Sequence, residues 1–598
     1  MAPAATAPYD WILAITTIAF VGASAGNGAN DVANSYATSV AARTLTMLQV
    51  GFLATITEFI GAVALGARVT STIKNGIISI GRFQGRPGVL MLAMGCAEVG
   101  NATWLLTATG LGFPVSTTQT VVGSLIGVGF ATQSSIKWSW QSGSVSQVAA
   151  SWGIAPLIAA AFSALLFGVL KYSVLERKDS FKWAMRLIPF YLAFTAAILA
   201  LFLVIEIPNA PTLEEFGVGK IIGIILGVFF GVLAVGYIFF IPFFERKLIK
   251  KDPRIRIWHL PLGPLLRKEN PPLYWPGKGD VYVTNYYEDA YGNVSAGTNA
   301  RHHADVQTTI DNGVRTDSPS NGSDSDSTNV HKRKSDMPSA PDAATMEKEG
   351  YPAANVNNQK ATPNLLKHKR PEPYERWIVP VKSLSWTSPK KWWNWFKFLL
   401  LQGVSRDVIS HDSELLRAIH ARANRYDVRV EHLWTYCQVV SAMMMSIAHG
   451  SNDVANAVGP WAAVYETYRS GYVNTRSPTP VWFLVVAGLL LGLGFWFYGY
   501  HIMRALGNKI TQMSPTRGFS IELGAAITVL LASRLGLPVS TTQCLVGASM
   551  GVALMNYDVG AVNWRQLAFI FLGWVLTLPC AALISGLLAL MALNAPHF

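Results

Sequence analysis

Gly26-Asn27-Gly28-Ala29-Asn30-Asp31-Val32-Ala33-Asn34 decides how the chain is read, because it returns as His449-Gly450-Ser451-Asn452-Asp453-Val454-Ala455-Asn456. Each copy lies in an apolar run long enough to cross a bilayer, and each puts a carboxylate and two amides where hydrocarbon is expected. A charged side chain near the bilayer centre costs about 2.5–3.5 kcal/mol on insertion scales, so it marks function by default. Finding the same charge in the same setting twice makes chance a poor explanation.

Composition agrees with a membrane setting. Of 598 residues, 51% are hydrophobic and only 14% charged, against about a quarter charged in soluble domains. Mean hydropathy is +0.30, and many apolar runs approach the roughly 20 residues of a spanning helix. The net charge of +13 sits mostly in one polar insert and in loop ends, where the positive-inside bias accounts for it better than nucleic acid does. Cys96, Cys437, Cys544 and Cys580 are scattered, without metal or disulfide spacing, and read as small core residues. The N-terminus has no basic n-region or evident cleavage site, so residues 8–26 read as a first span. No phosphate-loop lysine motif, nucleophile elbow or zinc spacing supports ATP hydrolysis or other catalysis.

Three regions follow: a first membrane half at 1–244, a polar insert at 245–432 and a second membrane half at 433–598. The first motif is read as a helix break, with a polar half-helix running on to about Arg43; residues 46–67 form the next span, carrying Glu58. Arg68 to Gly88 reads as a Gly-rich basic loop. Residues 88–110 and 114–134 are two short apolar segments joined at Gly110-Leu111-Gly112-Phe113-Pro114, and 519–535 and 539–556 are joined likewise at Gly536-Leu537-Pro538. Each pair is read as a re-entrant helical hairpin, since irregular backbone at that depth is tolerated only inside protein or around a cavity. Other spans fall near 146–170, 183–207, 219–244, 481–503 and 565–592. The insert's centre, about 290–365, is Ser-, Asn-, Asp- and Pro-rich and is expected to be disordered. The stretch from Trp386 to Lys397 reads as interfacial, with Trp and Lys at headgroup depth.

Pro-Val-Ser-Thr-Thr-Gln occurs at 114–119 and 538–543. Asp31 precedes Ser116 by 85 positions and Asp453 precedes Ser540 by 87; Glu98 and Glu522 each precede the tip serine by 18. The chain is thus an internal repeat. Counting crossings with the basic insert and the Lys171–Lys182 loop in the cytoplasm, and the acidic Glu214-Glu215 loop outside, puts both termini outside and inverts the second repeat. Arg68, Lys74, Arg82 and Arg86 then fall outside, against the bias, where they are expected to attract an anion. The sequons at Asn101, Asn293 and Asn321 fall in membrane or cytoplasm and should stay unmodified. The fold expected is an all-α polytopic membrane protein with inverted repeats, broken helices, two helical hairpins and about 12 membrane segments, a construction used by secondary transporters.

Proline and Ser/Thr suit helix starts, and a helix N-terminus offers free N–H groups and partial positive charge to an anion. Ser116, Thr117, Thr118, Ser540, Thr541 and Thr542 add hydroxyls, so two such tips can hold a tetrahedral oxyanion from opposite sides. Helical spacing sets Asn30, Asp31 and Asn34 on one face, with hard oxygen ligands for a small cation such as sodium. The oxyanion should carry a proton, because hydrogen phosphate can donate to Asp31, Asp453, Glu98 or Glu522 and sulfate cannot. Glu58 has three readings, as cation ligand, proton acceptor or partner of Arg68, while His449 reads as a helix-packing residue ahead of a pH-sensing one.

These two Asn-Asp motifs and paired Pro-Val-Ser-Thr-Thr tips resemble the inorganic phosphate transporter (PiT) family, over both membrane halves but not the insert. Length and insert are similar to those of fungal sodium/phosphate symporters of the plasma membrane. The resemblance implies that Asp31, Asn34, Asp453 and Asn456, with the Ser/Thr tips, line the phosphate and sodium sites. It implies transport roles for Glu58, Glu98 and Glu522. Sodium is expected at Asn30, Asp31, Gln119, Asn452, Asp453 and Gln543. Where the family more often has Asn-Ala, as at Asn456-Ala457, the first motif reads Asn34-Ser35, a change that leaves the ligands intact. The expected partners are inorganic phosphate, sodium ions and the bilayer, with no nucleic acid and no cofactor; a homodimer is a candidate assembly. The expected activity is sodium-coupled phosphate import, with proton coupling the nearest alternative and an anion channel or phosphate-sensing receptor further off.

Overall fold

The computed structural model describes residues 6–140, 144–206, 217–278, 283–288, 370–410, 413–473 and 479–595. The insert's polar centre, Glu214-Glu215, Asn293 and Asn321 lie outside them. Among the described residues the fold is helical, with one isolated bridge between Ile78 and Ile136. Among the described residues, eight helices are long and apolar enough to cross a membrane.

The first half contains α1 (Asp10–Ala41), α2 (Met47–Leu65), α3 (Ala67–Gly76), α4 (Pro87–Gly110), α5 (Thr117–Ala131), α6 (Val145–Leu170), α7 (Ser180–Glu206) and α8 (Val218–Val235). From the insert comes α9 (Pro389–Leu401). The second half contains α10 (Val428–Ser470), α11 (Val481–Tyr498), α12 (Pro515–Arg534), α13 (Thr541–Leu554) and α14 (Trp564–Asn594). Helices α1, α2, α4, α5 and α6 correspond in order to α10, α11, α12, α13 and α14, and α7 and α8 are additional.

Inversion is visible in the α1–α10 pair. Tyr468 donates to Asp10 (2.7 Å), Trp461 Nε1 to Thr17 (3.1 Å) and Asn27 Nδ2 to the Asp453 carbonyl (2.6 Å), while Thr44 bonds Gln438. As one helix number rises the other falls, so equivalent helices run antiparallel. The halves also exchange neighbours: α1 packs on α11, α10 on α2, α5 on α14 and α13 on α6. Small residues let backbones approach closely, as expected where lipid removes most hydrophobic drive between helices. A Cβ built on Gly61 would stand 2.2 Å from the Ile447 carbonyl oxygen, and one on Gly450 2.6 Å from that of Glu58. This bare contact brings α2 against the second Asn-Asp motif.

The hairpins end their first arms in the same way. Gly112 and Gly536 have φ of 76° and 68°. Gly112 donates to Thr109 O and Phe113 to Ala108 O; Gly536 donates to Ser533 O and Leu537 to Ala532 O. These are left-handed glycine caps that satisfy the last carbonyls of α4 and α12.

Three expectations change. The helix breaks expected at the Asn-Asp motifs are absent, since α1 and α10 run through them uninterrupted; a buried helix satisfies its own backbone, so polar side chains there do not require a break. Within the expected basic loop lies α3, which buries Val69 and Ile73 against α10. Lys74 on α3 is buried and paired with Glu466, and Arg68 donates to the Arg534 carbonyl (2.7 Å), so these two cations already hold protein oxygens.

The insert's ends pack on the membrane halves. Residues 283–288 form a strap on the insert side of α1 and α10. Tyr287 Oη donates to Glu431 (2.5 Å), Tyr286 Oη bonds His432 Nδ1 (2.9 Å), and Arg43 donates to the carbonyls of Asn285 and Glu288. On α9, Trp392, Trp393, Phe396 and Leu399 are exposed, and Lys397 lies 5.4 Å from the centre of the Trp393 ring. That apolar, cation-edged face suits the interfacial reading.

Candidate functional site

Asn30 and Asn452 fix the tips. Asn30 Oδ1 accepts from Val115 N (3.1 Å), and its Nδ2 donates to Thr109 Oγ1 (2.9 Å) and Phe113 O (3.1 Å). Asn452 repeats this with Val539 N (3.1 Å), Ser533 Oγ (3.0 Å) and Leu537 O (3.1 Å). Asn30 and Asn452 are expected at sodium. Here both ends of each amide hold a non-helical loop whose backbone groups need partners in the membrane. Thr109 and Ser533 are functional positions outside the motifs, and their shared spacing, each seven residues before a tip serine, is the sequence signal that marks them.

Ser116 and Ser540 are N-caps, accepting from Gln119 N (3.2 Å) and Gln543 N (3.3 Å). The threonines bind the aspartates. Thr117 Oγ1 donates to Asp31 Oδ2 (2.7 Å) and Thr541 Oγ1 to Asp453 Oδ2 (2.6 Å). Thr542 crosses between halves, donating to Asp31 Oδ1 (2.8 Å) and accepting from Asn34 Nδ2 (2.7 Å). Opposite it, Asn456 Nδ2 donates to Thr117 (3.0 Å) and Thr118 (3.2 Å), and Thr118 donates to Val539 O (3.0 Å). The tip threonine hydroxyls expected to face an anion are thus donated to protein acceptors, while Ser116 and Ser540 accept the capping N–H groups.

Both halves meet at one centre. Ligand atoms of Asp31, His449 and Asp453 lie within 4.8 Å of one another, all buried. His449 reaches Glu58 Oε2 through Nδ1 (2.6 Å) and Asp453 Oδ2 through Nε2 (3.1 Å). Ser446 donates to the other Glu58 oxygen (2.6 Å). Glu58 is therefore paired with α10, not with Arg68, and His449 bridges two carboxylates instead of only packing. The first motif has Asn27 in the place of His449, so simple repeat matching could not show this.

The same motifs carry buried acceptors without a protein partner: Asn34 Oδ1, Asn456 Oδ1, Gln119 Oε1 and Gln543 Oε1. The Nδ2 groups of Asn34 and Asn456 are already donating, which leaves oxygens suited to a hard cation. Glu522 lies toward the insert, where Thr38, Ser39 and Ser441 each donate to it at 2.6 Å and Gln438 at 3.2 Å. Glu98 is fully buried and makes no such bonds.

Fold and site together define a polytopic helical membrane protein whose inverted halves close around a polar centre, the build of a secondary transporter. Comparison with known proteins gives the family. Residues 27–585 match the phosphate transporter family, and the chain belongs to it. It is 38% identical to the phosphate-repressible phosphate permease pho-4 of Neurospora crassa, over 99% of this chain and 98% of that protein. It is 30% identical to sodium-dependent phosphate transporter 2 of Homo sapiens, over 94% of each. A solved sodium-dependent phosphate transporter shares the fold, with a TM-score of 0.61 at 23% identity, covering 98% of this chain and 100% of that one. These relatives are permeases and transporters, not enzymes.

Proposed function

We propose that this chain is a secondary symporter importing inorganic phosphate with sodium across the plasma membrane, its termini outside and its insert in the cytoplasm. The observation that carries the reading is the meeting of Asp31 and Asp453 with both threonine tips, on motifs that also hold the orphan oxygens of Asn34, Asn456, Gln119 and Gln543. In this reading the phosphate oxygens are held by tip N–H groups and by tip hydroxyls that leave their present protein acceptors for the anion. The aspartates accept its P–OH, and sodium sits among the amide oxygens and carboxylates. Neither ion enters easily alone: a phosphate dianion beside two carboxylates is repelled strongly where screening is weak, and sodium offsets that repulsion. Co-binding of this kind is what couples the two fluxes. The names of relatives such as sodium-dependent phosphate transporter 2 support sodium as the partner ion.

Labelled phosphate uptake into sealed vesicles, with sodium replaced by choline at fixed pH, tests the reading. Uptake should fall to background in choline and accumulate phosphate in sodium. Asp31→Asn and Asp453→Asn should each abolish uptake while the protein stays folded in the membrane. Persistent uptake in choline that follows a pH gradient would instead assign proton coupling. Flux that never exceeds phosphate's own gradient would make the protein a channel.

A further inference from the structure

Glu98 and Glu522 occupy equivalent positions in the two repeats, yet their surroundings are unlike. Four donors converge on Glu522: Thr38 and Ser39 from α1, Gln438 and Ser441 from α10. Asp31 and Asp453 are 422 residues apart, and the same shift turns these four positions into Pro460, Trp461, Thr16 and Ala19. Proline and alanine have no side-chain donor. Trp461 Nε1 already donates to Thr17 Oγ1 (3.1 Å), and Thr16 Oγ1 to the Ile12 carbonyl (2.7 Å). Every donor of the insert-side carboxylate has been lost at its counterpart.

Both Glu98 oxygens are buried and without a partner. Helices α1, α5, α10 and α14 pack on α4, as do the short helices Ile80–Phe83 and Tyr500–Leu506. Among the described residues, none of these sets a titratable or charged side chain against Glu98. The polar neighbour that acts on it is Asn101, one turn further along α4. Asn101 Nδ2 is committed to the Asn456 carbonyl (3.3 Å), which is free to accept because Pro460, four residues on, has no N–H. Asn101 Oδ1 is itself buried and unpartnered.

An ionised carboxylate so enclosed is untenable without a counter-charge or donors. A hard cation of the calcium or magnesium kind takes about six oxygens, whereas the side chains here present two from Glu98 and one from Asn101. A single proton resolves the whole arrangement. It turns one carboxyl oxygen into a donor, and Asn101, one turn along α4, has an Oδ1 that lacks one.

We propose that Glu98 is a protonation site of the transport cycle, enclosed as the neutral acid with its O–H donated to Asn101 Oδ1. Glu522, its counterpart toward the cytoplasm, keeps its donors, so the unpartnered carboxyl belongs to one repeat only. The inference rests on the transport reading for its part in the cycle; the infrared test below needs no transport, and the two can fail separately.

Infrared difference spectra of the full-length protein in lipid vesicles, taken as pH is changed without phosphate or sodium, should show a protonated-carboxyl C=O band. Glu98→Gln should remove that band, and Asn101→Ala should shift it toward the frequency of a carboxyl without a hydrogen bond. If all three proteins share one unshifted band, the proposal is overturned. Sodium-driven phosphate uptake adds a second readout. Above its titration point, a site that needs its proton loses occupancy about tenfold per pH unit, so wild-type uptake should fall on the alkaline side. Glu98→Gln should bring the ratio of neutral to alkaline uptake close to one. A raised half-saturating sodium concentration with an unchanged pH profile would assign sodium to Glu98 and overturn the protonation reading, as would equal loss at every pH.

Discussion

Thr542→Val tests the centre most sharply, because this one hydroxyl joins the two halves at an aspartate. Thr542 Oγ1 donates to Asp31 Oδ1 (2.8 Å) and accepts from Asn34 Nδ2 (2.7 Å). Valine keeps the shape and removes both bonds, along with a longer contact to the Val115 carbonyl (3.2 Å) that matches the Thr118–Val539 contact in the other half. Asp31 then retains Thr117 on Oδ2 (2.7 Å) and a longer contact from Asn34 on Oδ1 (3.3 Å). A hydrogen bond to a charged group contributes about 1.5–3 kcal/mol, which at 1.4 kcal/mol per decade is roughly 10- to 150-fold in affinity. The pseudo-equivalent Thr118→Val is the control. Thr118 bonds only neutral groups, Asn456 Nδ2 (3.2 Å) and the Val539 carbonyl (3.0 Å), and neutral bonds contribute about 0.5–1.5 kcal/mol, or roughly 2- to 13-fold. The assay is half-saturating phosphate for uptake in sodium, with phosphate-induced thermal stabilisation of purified protein as a transport-free check. Thr542→Val should weaken phosphate by one to two decades and Thr118→Val by about one decade at most. Equal effects, or a larger effect at Thr118, would refute the claim that the cross-half bond to Asp31 organises the site.

Two further outcomes follow from packing and from the insert-side strap. Gly61→Ala places a methyl 2.2 Å from the Ile447 carbonyl, so α2 and α10 must separate and strain the Glu58–His449 pair; overpacking of this kind costs about 1–3 kcal/mol, read as a lowered thermal midpoint, and an unchanged midpoint would show that α2 is free to shift. His432, on the second turn of α10 at the strap, is held down to about 3 by burial and by nearby Lys247. Its folded value lies below its unfolded one, so the stability it confers is present above pH 6.5 and is lost as pH falls toward 3; His432→Gln should flatten the acid side of the stability profile relative to wild type, and parallel profiles would remove His432 from that role.

Residues that obey the repeat were legible in the sequence. The tips, the Asn-Asp motifs and the hairpin joints recur at fixed spacing, and the structure brings them together at one centre. Hydropathy marked most of the spans, although α10, with mixed polarity over 43 residues, does not count among the eight apolar helices. Side-chain commitment was not legible. Pattern places Asn30 and Asn452 beside the aspartates, but whether an amide faces a cation or ties down a loop depends on where the hairpin backbone lies. Nor could periodicity reveal α3, because a short amphipathic helix among Gly and basic residues looks like a loop until α10 covers its apolar side.

The departures from symmetry carry the other half of the argument. An inverted repeat supplies two copies of one skeleton, and identical copies would present the same charge to both faces of the membrane. Here the skeleton is matched while the charge partners are not. Asp453 has a histidine beside it where Asp31 has the amide of Asn27 one turn back, and Glu522 has four donors where Glu98 has none. In a membrane interior a buried carboxylate without donors is compensated by a mobile cation or a proton. An outward-facing and an inward-facing arrangement of such a molecule therefore differ in which mobile charges they require. That difference is what allows an ion gradient to bias one arrangement over the other.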